Sequence, residues 1–161
     1  MDTLEYTTPG EPAYRDACAF ASQIYAEKLQ MQIDRFPDFL FTLSRDTHIV
    51  GCIGLNATMH NPVFLKDPKI REQLTRFPNH TSMGEQYLWA VKQHSLGAVM
   101  LVSVLSASAS RLGIKNVIFT GTKIALRGMQ LIGANPQSVG PINATYLDPR
   151  DRENCARWFT V

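Results

Sequence analysis

Glu85 opens the stretch of this sequence with the most chemical content, Glu85-Gln86-Tyr87-Leu88-Trp89-Ala90-Val91. Read as a strand, it alternates its side chains, so Glu85, Tyr87 and Trp89 share one face. A carboxylate among aromatic rings is pushed toward its neutral form, which raises its proton affinity toward that of a base working near neutrality. The plainer reading is a strand-edge glutamate that faces water or pairs with an arginine. The residues that follow, Lys92-Gln93-His94-Ser95-Leu96-Gly97-Ala98, form a loop that enters a helix. Such a loop gathers free backbone N–H groups and suits a phosphate or pyrophosphate. His94 there can hydrogen-bond a phosphate or move a proton, or it can simply face solvent. Lys92, Lys115, Lys123 and Arg127 flank the loops of the same unit. They can meet phosphates or an acidic partner, or serve as ordinary surface charge.

Other reactive residue types carry less. His48, His60 and His80 show no metal-ligand spacing with any Cys, Asp or Glu, so no metal site is expected. Cys18, Cys52 and Cys155 are odd in number and widely spaced, which predicts free thiols in a reducing cytoplasm. Cys52 reads as a buried mid-strand residue, and no Cys–His spacing supports a covalent nucleophile. Met100 and Met129 read as core.

The elements that must position these groups follow from periodicity. Residues 1–10 are polar and read as a frayed or edge segment. From Pro12, the residues Ala13, Ala17, Phe20, Ala21, Ile24 and Tyr25 recur at helical spacing, predicting a helix to about Lys28 or Met31. Phe39–Leu43 and His48–Leu55, joined by the polar turn Ser44–Thr47, predict an antiparallel hairpin. Gly51 and Gly54 within it predict a bulge or a close backbone approach. A short helix is expected near Lys69–Thr75, in a proline-rich loop over 56–82. Ala98–Leu112 is a helix with Gly113 at its left-handed end. Asn116–Thr120 is an apolar strand of central type. Thr122 is placed to cap a helix from Lys123 to about Ile132 that ends at Gly133. A short strand near Val139–Tyr146 and a helix or turn over Arg150–Phe159 complete the chain.

Helix, hairpin, strand, helix, strand and helix in this order predict an α/β architecture. At roughly 150 residues per domain, 161 residues predict one domain spanning 1–161. Apolar residues are 45% and charged residues 19%, the composition of a globular chain rather than a disordered one. A net charge of +2 excludes a strongly basic nucleic-acid binder and an acidic tail protein. No stretch approaches the ~20 apolar residues of a membrane span. Met1-Asp2-Thr3-Leu4-Glu5 lacks the basic and apolar regions of a signal peptide, which also predicts a cytoplasmic protein. Without such a signal, Asn56-Ala57-Thr58, Asn79-His80-Thr81 and Asn143-Ala144-Thr145 read as chance sequons.

Taken in order, these segments resemble the GNAT-like acyltransferases, and most closely the thermostable hemolysin-like group, relatives of autoinducer synthases and N-acyl amino acid synthases. The resemblance is carried by Arg35-Phe36-Pro37, Val50-Gly51-Cys52-Ile53-Gly54-Leu55, Pro62-Val63-Phe64-Leu65, Glu85 with Ala90, Gly97-Ala98 and Arg111-Leu112-Gly113. Val117–Thr122, Leu126–Ala134 and Trp158-Phe159 extend it to about residues 13–160. It implies a central twisted mixed sheet flanked by helices and split between its fourth and fifth strands, here Glu85–Val91 and Lys115–Thr120. It implies an N-acyltransferase that moves an acyl group to the amine of a small acceptor. The pantetheine arm of an acyl thioester would lie in the split and pair with the backbone of Trp89, Ala90 and Val91. Its phosphate would meet Lys92, His94, Ser95, Gly97 and Ala98, with Arg127 nearby. Glu85 would take the amine proton, and Tyr87 or Tyr146 would protonate the leaving group.

One motif departs from the resemblance. The phosphate-loop pattern of a basic residue or Gln, two residues, Gly, one residue, then Gly or Ala aligns here on His94, Gly97 and Val99. That departure weakens the case for free acyl-coenzyme A, and acyl-coenzyme A, an acyl carrier protein and an aminoacyl-tRNA all stay open as donors. It also motivates a second reading, a non-catalytic module that binds acyl thioesters or a carrier protein. A membrane-active role would need a basic amphipathic helix, which the chain lacks.

Overall fold

Helix α1 runs Pro12–Leu29. A proline in its first turn has φ already set and gives up an N–H that would be unpaired anyway. Glu11, just before it, ties the helix to the preceding strand. Its carboxylate accepts from the Thr7 hydroxyl at 2.6 Å, the Thr8 N–H at 3.1 Å and the Thr8 hydroxyl at 3.1 Å. Those donors hold the Glu11 carboxyl below the usual carboxylate range. The computed structural model describes residues 1–60, 65–92, 96–120, 126–127, 129–130, 133–141, 143–147, 149 and 152.

Within these residues one sheet runs β1 (Asp2–Thr7), β2 (Phe39–Arg45), β3 (His48–Asn56), β4 (Met83–Val91), β5 (Asn116–Phe119), in chain order. The first four strands pair antiparallel and β5 joins β4 in parallel. The polar N-terminal segment is thus an edge strand. The β2–β3 turn is tighter than the sequence suggests: only Asp46 and Thr47 lie outside the strands, at φ 47° and 71°. Positive φ at both central residues matches the right-handed twist of a two-residue hairpin.

Two helices cover the sheet, one on each face. The stripe Tyr14, Ala17, Phe20, Ala21 and Ile24 of α1 packs on Leu40, Cys52, Leu88 and Ala90. On the other face α3 (Leu96–Arg111) lays Leu101, Val102, Leu105 and Ala109 on Phe41, Leu43, Ile53, Leu55 and Val91. Gly113, at φ 75°, ends α3, and the Ile114 N–H reaches back to the Ala109 carbonyl at 2.9 Å. The short helix α2 (Pro68–Thr75), N-capped by the Asp67 side chain, closes one end. Its Ile70 and Leu74 pack with Met83, Ile118 and Leu147.

Both strand glycines do what was expected of them. The β2–β3 register shifts beside Gly51, and the β3–β4 register shifts between Gly54 and Leu55. A Cβ on Gly51 would come 2.9 Å from Leu101 Cδ1, so its absence lets α3 sit close. A Cβ on Gly54 would overlap the buried Pro37 ring and come 3.3 Å from Leu88 Cβ. Tyr14 locks the same spot, its hydroxyl donating to the Pro37 carbonyl at 2.6 Å.

The C-terminal third departs from expectation. Residues 139–141 have no regular structure, and Ala144–Tyr146 is a 3-10 turn rather than part of a strand. The Asn143 side chain accepts the Thr145 N–H at 3.1 Å, and that local turn competes with extended pairing. Of the expected Lys123–Ile132 helix, Leu126, Arg127, Met129 and Gln130 are helical, and Gly133 follows at φ 83°. Thr122, Lys123 and most of Arg150–Phe159 lie outside the described residues.

Two outcomes test this packing. Gly54→Ala should lower stability by about 1–3 kcal/mol, because the buried Pro37 ring cannot yield; an unchanged denaturation midpoint would count against the contact. Burial pushes the Tyr14 hydroxyl up to about 12. With the proton held more tightly folded than unfolded, its contribution is complete below about pH 10 and is lost as pH rises from there toward about 12. Tyr14→Phe should cost about 1–3 kcal/mol at neutral pH by orphaning the Pro37 carbonyl. Its deficit against the wild type should then shrink in melts above pH 10.

Candidate functional site

The site begins where two strands part. β4 and β5 pair through Met83–Asn116, Gly84–Val117, Glu85–Ile118 and Gln86–Phe119, and there β5 ends. β4 runs on to Val91, still paired with β3 on its other side. Among the described residues, Tyr87–Val91 therefore has no strand on its β5 side, which matches the split expected from the resemblance.

The hydrogen-bond phase of β4 decides which groups face the split. Lys92 donates its N–H to the Val50 carbonyl at 3.0 Å, so that N–H points to β3. The backbone polar groups of Ala90, two residues back, point the same way, and those of Trp89 and Val91 point into the split. Two side chains from the last turns of α1 meet them there. The Trp89 N–H donates to the Tyr25 hydroxyl at 3.3 Å. Lys28 Nζ donates to the Val91 carbonyl at 2.9 Å and to the Lys92 carbonyl at 2.6 Å. Burial pushes the Tyr25 hydroxyl above the usual phenol range; the Trp89 N–H opposes the shift, and nearby Cys52 and Tyr87 add to it. The indole Nε1 of Trp89 is buried with no hydrogen-bond partner among the described residues.

Glu85 lies at the base of the split, one residue before the last β4–β5 pair. It is 2% exposed, with strands on both sides, so it is not a strand-edge glutamate facing water. Its carboxylate accepts the His60 N–H at 2.6 Å. Across β3 stands Asn56, whose Oδ1 accepts the Asp38 N–H at 2.9 Å, while Asp38 Oδ2 accepts the Ala57 N–H at 3.0 Å. This reciprocal pair fixes the entry to β2 and the exit of β3 beside Glu85.

The common face expected for Glu85, Tyr87 and Trp89 does not form. The bulge sets Leu55 against Gln86 and Gly54 against Leu88, leaving Tyr87 as an extra residue. Tyr87 packs with the α1 cluster and Trp89 with the α3 cluster. Tyr146 stands apart, in the 3-10 turn next to Leu147 of the α2 cluster. Arg127 is exposed on a helical segment. Val91, Lys92, Gly97 and Ala98 do come together, lining a cavity of about 190 Å³. Leu43 and Gly51 also line it, which places it over β2 and β3 rather than over the split. The Lys92 ammonium, expected on a phosphate, sits 5.8 Å above the Phe20 ring on the α1 side. His94 and Ser95 lie outside the described residues.

Sequence reasoning placed Tyr25 in the core stripe and gave Lys28 no role. The available signal was the spacing of Tyr25 four residues after Ala21 and of Lys28 three after Tyr25, and only the position of α1 over β4 turns them into groups of the split. Burial pushes the Cys52 thiol up to about 12, which suits its reading as an inert core residue. Among the described residues no three His, Cys, Asp or Glu gather where a metal ion could be held. No helix among them is long and apolar enough to cross a membrane.

Solved structures share this architecture. The AHL synthase LasI superposes with a TM-score of 0.63 at 15% identity, over 88% of this chain and 82% of its own. An aminoglycoside acetyltransferase from an uncultured soil metagenomic sample, in complex with sisomicin, gives 0.57 at 13% identity, over 88% and 95%. An aminoglycoside N-acetyltransferase in complex with CoA gives 0.54 at 10% identity, over 86% and 90%. No protein-family profile matches the sequence, and no curated protein is significantly similar to it. The chain therefore has the GNAT-like fold, and AHL synthases are among the structures that share it.

The Asn56–Asp38 pair can be tested directly. Asn56→Ala leaves the Asp38 N–H without its acceptor and should destabilise by about 1–3 kcal/mol in chemical denaturation. An unaltered midpoint would show that the pair does not hold the floor of the site.

Proposed function

We propose that this chain, acting as one domain over 1–161, is an N-acyltransferase that moves an acyl group from a pantetheine-linked thioester to the amine of a small acceptor. The observation that carries the reading is that β5 ends at Phe119 among the described residues while β4 runs on to Val91, in a fold shared with N-acyltransferases. An extended pantetheine arm is a chain of amides, and it can pair with Trp89 and Val91 as a strand would. The buried, unpartnered indole N–H of Trp89 favours the same conclusion, since a ligand acceptor would satisfy it.

In this mechanism the chain binds the donor along β4 and orients the thioester carbonyl over the base of the split. Backbone N–H groups there stabilise the oxygen as charge develops. Glu85 takes the amine proton, directly or through a water. Tyr87 remains the candidate for protonating the leaving group, because it lies in the bulge of β4, whereas Tyr146 lies in the 3-10 turn beside Leu147. Lys92, Gly97 and Ala98 lie nearest the phosphate end, with His94, Ser95 and Arg127 assigned to it from the sequence. An acyl carrier protein, acyl-coenzyme A or an aminoacyl-tRNA can supply the acyl group. The loop over 57–82 borders Glu85 through His60 and is the part of the chain that shapes the acceptor side. The reaction belongs to specialised metabolism in the cytoplasm.

A second reading, a module that binds thioesters without turnover, is favoured by one observation: Lys28 and Tyr25 already occupy the outward groups of β4. Two experiments separate the readings. A thermal-shift panel of coenzyme A, acyl-coenzyme A and an acylated carrier protein should raise the melting temperature with at least one thioester; no shift with any would remove the pantetheine-linked donor. Glu85→Gln should then cut turnover by about 10²-fold or more while thioester binding and the fold persist. Unchanged turnover would remove Glu85 as the base, and binding without turnover in the wild type would favour the module.

A further inference from the structure

The Trp89 amide faces the split and has a hydroxyl as its partner. Tyr25 supplies that hydroxyl from α1, seven residues after Cys18 and three before Lys28. At 3.3 Å the bond is longer than the 2.7–3.2 Å usual for N–H···O, so the amide is loosely held. The Tyr25 oxygen thus lies beside the place an acyl carbonyl oxygen would take in order to accept the same N–H. A hydroxyl can both accept and donate. If a carbonyl oxygen takes over the amide, the Tyr25 O–H lies close enough to turn and donate to that oxygen.

We propose that Tyr25 is a catalytic residue of the acyl transfer, its O–H and the Trp89 N–H forming a two-donor site for the oxyanion of the tetrahedral intermediate. The inference rests on the acyltransferase reading above. The acceptor amine attacks the thioester carbon and a C–N bond forms. The carbonyl π electrons move to oxygen, which the Trp89 N–H and the Tyr25 O–H hold. Glu85 removes the amine proton. The C=O bond then reforms, the C–S bond breaks, and the thiolate leaves and takes a proton from Tyr87, which water reprotonates. Tyr25 keeps its proton throughout, as befits a phenol that burial holds above its usual range. Its ring is fixed by the same α1 stripe that packs on Leu88 and Ala90, so the hydroxyl turns without the helix moving.

The test is Tyr25→Phe, which keeps the ring and removes only the oxygen. Steady-state kinetics with an active acyl-thioester donor should show kcat falling by about 10²–10³-fold, as for loss of one oxyanion donor, with donor KM nearly unchanged. The wild-type to variant ratio should stay constant from pH 6 to about pH 9, since a group that never ionises there adds no limb to the profile. In the donor-free protein, Tyr25→Phe should speed hydrogen exchange of the Trp89 amide. A tighter donor KM with kcat preserved would show Tyr25 to be only a competitor for the amide and would overturn the proposal. Equal kinetics in both proteins would overturn it as well, as would unchanged exchange at Trp89. A ratio that varies with pH would make Tyr25 a proton-transfer group instead. If the wild type itself turns over no thioester, the acyltransferase reading falls and this inference falls with it; a wild type that turns over beside an unimpaired variant defeats this inference alone.

Discussion

Everything in the site follows from the parting of β5 from β4 after the Gln86–Phe119 pair. A strand inside a protein must satisfy both of its hydrogen-bonding edges, and unmet backbone groups away from water are costly. β4 runs five residues beyond its last β5 partner, so those groups require other partners. In this structure α1 supplies two of them, Tyr25 and Lys28. The binding role proposed for the split rests on this early end of β5.

The rest of the molecule serves to hold that opening. Gly54 and Pro37 approach closely, Tyr14 locks Pro37, and α1 is thereby pressed onto β3 and β4. On the other face Gly51 admits Leu101, so α3 lies flat and its N-terminus comes up beside the end of β4. The bulge opposite Gly54 then reorients Tyr87 and Trp89 to opposite faces. A strand of uniform alternation would have pointed both rings the same way. Instead one ring borders α1 and the other α3, and the split is lined from both sides of the sheet.

Charge enters sparingly. Glu85 is buried and held by a backbone donor, and Asn56 and Asp38 use one another's backbone to close the floor beside it. Lys28 caps two carbonyls at the end of β4 rather than forming an ion pair. Lys92 rests on an aromatic ring. The ion pairs found among the described residues lie at the surface, as between Arg45 and Asp2, where solvent screens them.

How much of this was legible in the sequence depends on the range of the interaction involved. Helix α1, the β2–β3 hairpin, α2, α3 and its Gly113 end were all readable, because periodicity, caps and turn residues act within a few positions along the chain. So was the presence of something unusual at Gly51 and Gly54. The split itself came from the resemblance, since no local pattern says where a parallel strand stops. The strand expected near Val139–Tyr146 failed because Asn143 satisfies its own turn, a choice settled by one side-chain bond. The shared face of Glu85, Tyr87 and Trp89 failed because a bulge is a property of two paired strands, and the sequence of one strand carries no count of the other. Tyr25 and Lys28 looked like the tail of a core stripe. Their role at the split was decided only when α1 was laid over β4, because a side chain's partner across some sixty residues is set by packing and not by spacing.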